Sequence, residues 1–306
     1  MNENTKLSGS DHASGLRTSP RWARRAARSL GRGVARLASR VKRTANTWAI
    51  NTINSAVYVV SGGRRTLHEG RYRPWRNTWT NWSRTFEAQP QRFEMPTTEA
   101  DICRIVREAS KLRVVGSGHS FNASPLTSGT MLSLDAYDQV LSIDTERRVV
   151  RVQAGVRLRD LTERLASAGL AFPVLGSTNA QSIGGLLATD LHGTGRDHGF
   201  LSEQILSLRI VDASGVARTY RRGSDVFHAA IGAIGTCGVV IEVEIQCVPA
   251  YNLAKSLRMV RRDWVRENID GILAGHDHVS FYYIAGVDTE SVRMNLWNRT
   301  EQAPSG

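Results

Sequence analysis

The chain has 306 residues, long enough for two domains with ordinary cores, and its 41% hydrophobic and 22% charged residues are globular values. A net charge of +12 suggests a nucleic-acid partner until it is located. Residues 1–75 hold 15 Lys and Arg against Glu3, Asp11 and Glu69, which is +12, and the rest balances at 25 basic and 25 acidic groups, so nucleic acid is not an expected partner.

Residues 1–20 are polar and read as disordered. From Arg21 the arginines Arg25, Arg28, Arg32, Arg36 and Arg40 recur at three- and four-residue spacing, while Leu30, Val34, Leu37 and Val41 line another face. Such a basic amphipathic helix can lie on an anionic membrane surface. A solvated extension and a transit-like peptide are the alternatives. No apolar run of eighteen residues occurs, so no spanning helix is expected.

The next stretch, Arg71–Asn81, is a tryptophan-bearing lead-in. Thr98 with Asp101 three residues on predicts a capped helix burying Ile102, Ile105, Val106 and Ala109. A strand is expected at Arg113–Val115 and another at Leu132–Leu134. Val140–Asp144 and Val149–Gln153 read as a hairpin. Leu158, Leu161, Leu165 and Ala168 mark a helix that Gly169 ends. A second hairpin is expected from Ile205–Asp212 and Val216–Arg221, then a short helix from Asp225 and a strand over Val239–Val248. Beyond Tyr251, a helix carrying Trp264, Ile269, Ile272 and Leu273 precedes strands Val279–Ile284 and Val292–Asn298. Alternating helices and hairpins indicate an α+β fold. Cys103, Cys237 and Cys247 cannot all pair and form no C-x-x-C, which suits free thiols in a reducing, cytoplasmic setting.

Two glycine-rich runs carry the chemistry. The first is Arg113-Val-Val-Gly-Ser-Gly-His-Ser-Phe-Asn122, with His119 at its apex, and the second is Ser182-Ile-Gly-Gly-Leu-Leu-Ala-Thr-Asp-Leu-His-Gly-Thr-Gly195. Glycine lets backbone N–H groups approach phosphate oxygens closely, as a large diphosphate cofactor needs. A Rossmann fingerprint fails, because Gly116-x-Gly118-x-x-Phe121 lacks its third glycine and Asn122-Ala-Ser-Pro125 is no helix opening. A bare structural turn remains the plain alternative for the first run taken alone. His192 and His198, six apart with no cysteine or paired carboxylate nearby, make a poor metal site. His276-Asp-His278 reads as a polar turn, and Phe281, Tyr282 and Tyr283 read as core or pocket aromatics.

The two runs and their surroundings resemble the FAD-binding domain of the vanillyl-alcohol oxidase superfamily. The nearest branch is that of the sugar-lactone and alditol oxidases (arabinono-, gulono- and galactonolactone oxidases). Gly116-x-Gly118-His119-Ser120, Ser182-Ile-Gly-Gly185, His192-Gly-Thr-Gly195, Asp225-Val-Phe227 and Gly235-Thr-Cys-Gly-Val-Val240 carry the resemblance. It implies a PCMH-type, two-subdomain FAD-binding fold over residues 76–250, after the basic extension 1–75. The start of an α+β cap, or substrate, domain is implied over 251–306.

The implied cofactor is FAD, bonded covalently through His119 to the flavin 8α-methyl carbon. The implied first contact set is Val115, Gly116, Ser117, Gly118, His119, Ser120 and Phe121. Ser177, Ser182, Gly184, Gly185, Thr189, His192, Gly193, Thr194 and Gly195 form the second, and Val240 and Ile241 follow on a strand. The implied reaction is hydride transfer from a CH–OH group of a sugar lactone or polyol to flavin N5, with oxygen as acceptor. The family draws its base and substrate anchors from cap and C-terminal segments beyond Gly306, so no catalytic base is named. The alternative expectation is a non-catalytic or split-gene flavin-binding fragment whose cap comes from a downstream chain.

Overall fold

The computed structural model describes residues 69–284 and 288–303. The expected basic amphipathic helix, and with it any membrane contact, lies outside them. Strands β1 (Arg71–Arg73), β2 (Thr78–Thr80) and β3 (Glu87–Ala88) form a small antiparallel sheet with β2 in the middle. The lead-in is therefore part of the folded body, which starts before residue 76.

β4 (Arg92–Glu94), β5 (Leu112–Val115) and β6 (Thr130–Ser133) form a parallel sheet in the order β4-β6-β5, with α1 (Glu99–Glu108) crossing between β4 and β5. α1 starts as its sequence dictates: Thr98 Oγ1 accepts from Asp101 N at 3.1 Å. Its stripe Ile102, Ile105 and Val106 is buried, each side chain contributing about 1.5–3 kcal/mol by leaving water. β6 lies two residues upstream of its expected start, because parallel pairing with β5 sets Val115 opposite Ser133.

The hairpin of β7 (Val140–Asp144) and β8 (Val149–Gln153) has its expected bounds. Then come α2 (Leu158–Ser167), β9 (Leu170–Ala171) and α3 (Ile183–Ala188), the hairpin β10 (Ile205–Val211) and β11 (Ala217–Arg221), α4 (Asp225–Ala230) and β12 (Val239–Gln246). The five longer strands make one antiparallel sheet, β11-β10-β12-β8-β7. One face of it buries Val150, Val152, Leu208 and Val243 against Leu158, Leu161 and Leu165 of α2 and Ile183 and Leu187 of α3. A second core joins Ile102 and Ile105 of α1 to Leu132, Val211 and Ile241. Two subdomains thus share strand β12, in an α+β arrangement.

β13 (Val248–Pro249) pairs with β9. The last sheet contains β14 (Asn252–Arg261), β15 (His278–Ile284) and β16 (Asp288–Thr300) in the order β14-β16-β15, with α5 (Arg262–Ala274) packed through Val265 and Ile272 on Val292, Met294 and Leu296. β14 escaped the sequence reading for a physical reason. Its apolar residues Leu253, Leu257 and Met259 are exposed and interrupted by Lys255, so no buried alternation marks it. A ten-residue antiparallel ladder to β16 holds it instead.

Candidate cofactor site

Strand β5 ends at Val115, and the chain passes straight into Gly116–Ser120. Residues upstream of β4 hold this loop from outside. Gly70 N donates to Ser117 O at 2.7 Å, Trp82 N donates to Gly118 O at 3.1 Å, and Asn81 Nδ2 donates to Ser120 O at 3.2 Å. Asn81 is 2% exposed and its Oδ1 accepts from Thr85 N and Phe86 N, so the clamp is itself a fixed turn. All three bonds use loop carbonyls. The amides of Gly116, Ser117, Gly118 and Ser120 donate to no acceptor among the described residues.

The second run behaves differently. Ser182 caps α3, its Oγ accepting from Gly185 N at 3.3 Å, while Ile183 N and Gly184 N donate to Val156 O at 2.9 Å and Ala154 O at 2.8 Å. Its leading amides are already engaged, and its glycines serve close packing. A Cβ on Gly184 would lie 3.1 Å from Ala154 Cβ, and one on Gly116 would lie 2.5 Å from Ser182 Oγ. Further unused amides belong to Gly235, Cys237 and Gly238, in the turn before β12, which donate to no acceptor among the described residues.

These segments line one cavity of 540 Å³, within the ~300–1,000 Å³ of small-molecule sites. Of the expected contacts, Val115, Gly116, Ser117, Gly118, His119, Ser120, Ser182, Gly184, Gly185, Thr189 and Val240 line it. Ile241 does not: on a strand, neighbours face opposite ways, and its side chain is fully buried in the second core. Phe121 is 67% exposed and meets the edge of Trp82 at 5.6 Å. Ser177 is exposed away from the cavity.

His192, Gly193, Thr194 and Gly195 are also outside its wall, forming a loop against the last sheet. His192 packs on Phe200 at 5.5 Å, and His198 stacks on His278 at 5.0 Å.

Some lining residues had no sequence signal. Arg157 is one, its side chain 7% exposed beside Glu69 and Asp135. Its Nη2 donates to Glu69 Oε2 at 3.0 Å and to Asp135 Oδ1 at 2.8 Å, and Arg159 Nη1 lies 3.0 Å from Glu69 Oε1. Burial pulls the Arg157 pKa down, but the Asp135 and Glu69 carboxylates outweigh it, so the guanidinium is held charged above its ordinary range. Nothing about one Arg after a Gly-Val pair announces this burial.

Unsatisfied backbone donors on two segments that line the cavity fit a diphosphate, whose anionic oxygens accept from such N–H groups. Apolar Val115, Leu134, Ala154 and Val240 also line the cavity and suit flat ring systems. Residues 90–220 match the model of the FAD binding domain. Over 219 residues the chain is 34% identical to the mitochondrial L-galactono-1,4-lactone dehydrogenase of Brassica oleracea, covering 70% of this chain and 36% of that protein. Over 231 residues it is 30% identical to the L-gulonolactone oxidase of Mus musculus, covering 74% and 52%. The chain thus spans about half, or less, of the length of these curated relatives. In fold it is similar to cholesterol oxidase from Brevibacterium sterolicum, with a TM-score of 0.65 at 18% identity over 74% of this chain and 48% of that one. Residues 90–220 are an FAD binding domain of the PCMH type, in a chain whose relatives include aldonolactone oxidases and dehydrogenases.

Proposed function

We propose that the chain binds FAD in the 540 Å³ cavity, bonds it covalently through His119, and serves in oxidising a CH–OH group of a sugar lactone or polyol, with oxygen as acceptor. One observation carries this reading. The unused amides of Gly116, Ser117, Gly118 and Ser120 and of Gly235, Cys237 and Gly238 belong to residues that line the same cavity as His119. The lactone substrate class is supported by what the names of the plant and mouse relatives say they act on.

When bound, FAD would supply a two-electron acceptor for hydride, with oxygen as the final acceptor. The protein's work is to hold and aim. The loop amides would hold the diphosphate, and Val115 and Val240 would give the rings an apolar wall. His119 would carry the covalent bond: the new C–N bond would replace one hydrogen of the 8α-methyl group and the imidazole N–H, and the two electrons and two protons released would pass to oxygen as hydrogen peroxide.

The Arg21–Arg40 pattern supports contact with anionic lipid. Among the described residues, no helix is long and apolar enough to cross a membrane. Co-sedimentation of the full chain with anionic but not zwitterionic vesicles tests that contact.

An absorption spectrum of the purified chain before and after acid precipitation tests the cofactor and its bond together. Flavin that stays with the precipitate is the expected result, accompanied by peroxide release over a panel of aldonolactones and alditols. A colourless chain that remains so after refolding with excess FAD would overturn the reading.

A further inference from the structure

The geometry points to Trp82 as the positioning residue for the His119–flavin bond, an inference that rests on the covalent reading above. The Trp82 and His119 rings lie nearly parallel, 18° apart, with centroids 5.1 Å apart. Phe121 meets the indole edge-on at 76°. Trp82 N also donates to Gly118 O, and neighbouring Asn81 donates to Ser120 O. One dipeptide, Asn81-Trp82, therefore fixes the carbonyl on each side of His119 and lies against the face of its ring.

A pinned backbone still leaves an imidazole two side-chain torsions, and its second torsion is broad and roughly two-fold. Attack needs the ring nitrogen's lone pair aligned with a carbon at about 3–3.5 Å, so a ring free to turn loses most of its effective concentration. An indole against the imidazole face removes that rotation without occupying the nitrogen edge. It also stabilises the positive charge that builds on the imidazole as its lone pair is donated and before its N–H proton leaves. Trp82 Nε1 is buried and has no acceptor among the described residues. Leucine would fill the space without stranding a donor, so the broad aromatic face is what the position retains.

The test uses the full chain as wild type, Trp82→Leu, Trp82→Phe and Phe121→Ala, each reconstituted with FAD. Two quantities are read: flavin bound at saturation, from visible absorbance, and the rate at which it becomes acid-stable. Trp82→Leu is expected to bind flavin as wild type does and to form the bond about tenfold or more slowly. Trp82→Phe, keeping a flat ring, is expected to stay within about threefold of wild type. Should Trp82→Leu fail to fold, Phe121→Ala loosens the indole from its outer side and is expected to give an intermediate rate. A wild-type rate in Trp82→Leu, or in Phe121→Ala where that variant stands in, overturns the proposal.

If the wild type holds flavin but never makes it acid-stable, the covalent reading falls by itself. Trp82 is then judged in the flavin-free chain by isotope-labelled histidine NMR. A His119 ring-current shift present in wild type, kept in Trp82→Phe and lost in Trp82→Leu supports positioning. An unchanged shift in Trp82→Leu overturns it.

Discussion

His278 Nδ1 lies 2.6 Å from the carbonyl oxygen of Thr194, so β15 of the last sheet grips the loop that follows the second glycine run. His278 is buried and stacks on His198 at 5.0 Å. Asp197 and Asp277 approach the pair, as do Arg299 and, through Asn298, His276.

This junction makes stability pH-dependent. Burial lowers the His198 pKa below 6.5, with His278 and Arg299 pushing the same way and Asp197 and Asp277 opposing. A lowered folded-state pKa means the fold favours the neutral ring. Its contribution is complete above pH 6.5 and is lost as pH falls through the folded value. The thermal midpoint is therefore expected to drop as pH falls below 6.5, and His198→Gln to flatten that drop. Identical pH profiles in the two chains would rule out His198 as the source.

Gly195 sets how closely loop and sheet approach. Its φ is +114°, and a Cβ there would lie 2.8 Å from Asp277 O and 3.0 Å from His278 Nδ1. Gly195→Ala is expected to lose about 1–3 kcal/mol in urea unfolding, the cost of backbone strain. No loss would show that the loop stands off the sheet in solution.

At the cavity the tight contact is between the two glycine runs. Gly116→Ala brings a methyl to 2.5 Å from Ser182 Oγ, so the first loop must shift and flavin content should fall. Ser182→Ala alone removes a helix cap worth about 1 kcal/mol. The double substitution clears the clash and is expected to retain more flavin than Gly116→Ala alone. Strictly additive losses would count against the contact.

Arg157→Met removes the buried guanidinium from Glu69 and Asp135, leaving Arg159 as the ion-pair partner of Glu69, and breaking such a buried pair costs about 3–5 kcal/mol. Adding Glu69→Gln and Asp135→Asn removes the carboxylates that lost this cation and is expected to recover part of that stability. The measurement is the chemical denaturation midpoint of each chain. A single substitution near neutral would place the cluster in water.

Local pattern was legible where local chemistry decides. α1 announced its cap and stripe, and the β7–β8 hairpin its alternation and turn. The first glycine loop was legible because its residues are consecutive and all face one cavity. α3 was not, since two glycines argue against a helix; Ser182 and the carbonyls of Ala154 and Val156 impose it from a distance. His192–Gly195 shared the glycine composition but is drawn to β15 by His278, a contact 84 residues away. The cavity-lining turn at Gly235–Gly238 was visible as a motif, but its unused amides could be recognised only once the ladder bonds were placed.

The upstream clamp on the first loop bears on how this cradle is excised. The matched domain begins at residue 90, yet Gly70, Asn81 and Trp82 hold the carbonyls of Ser117, Ser120 and Gly118, and Glu69 neutralises Arg157. Transplanting the matched segment alone into another scaffold would leave its first glycine bend without these supports. Anyone cutting or fusing this polypeptide should therefore keep everything from position 69 onward attached to the flavin half.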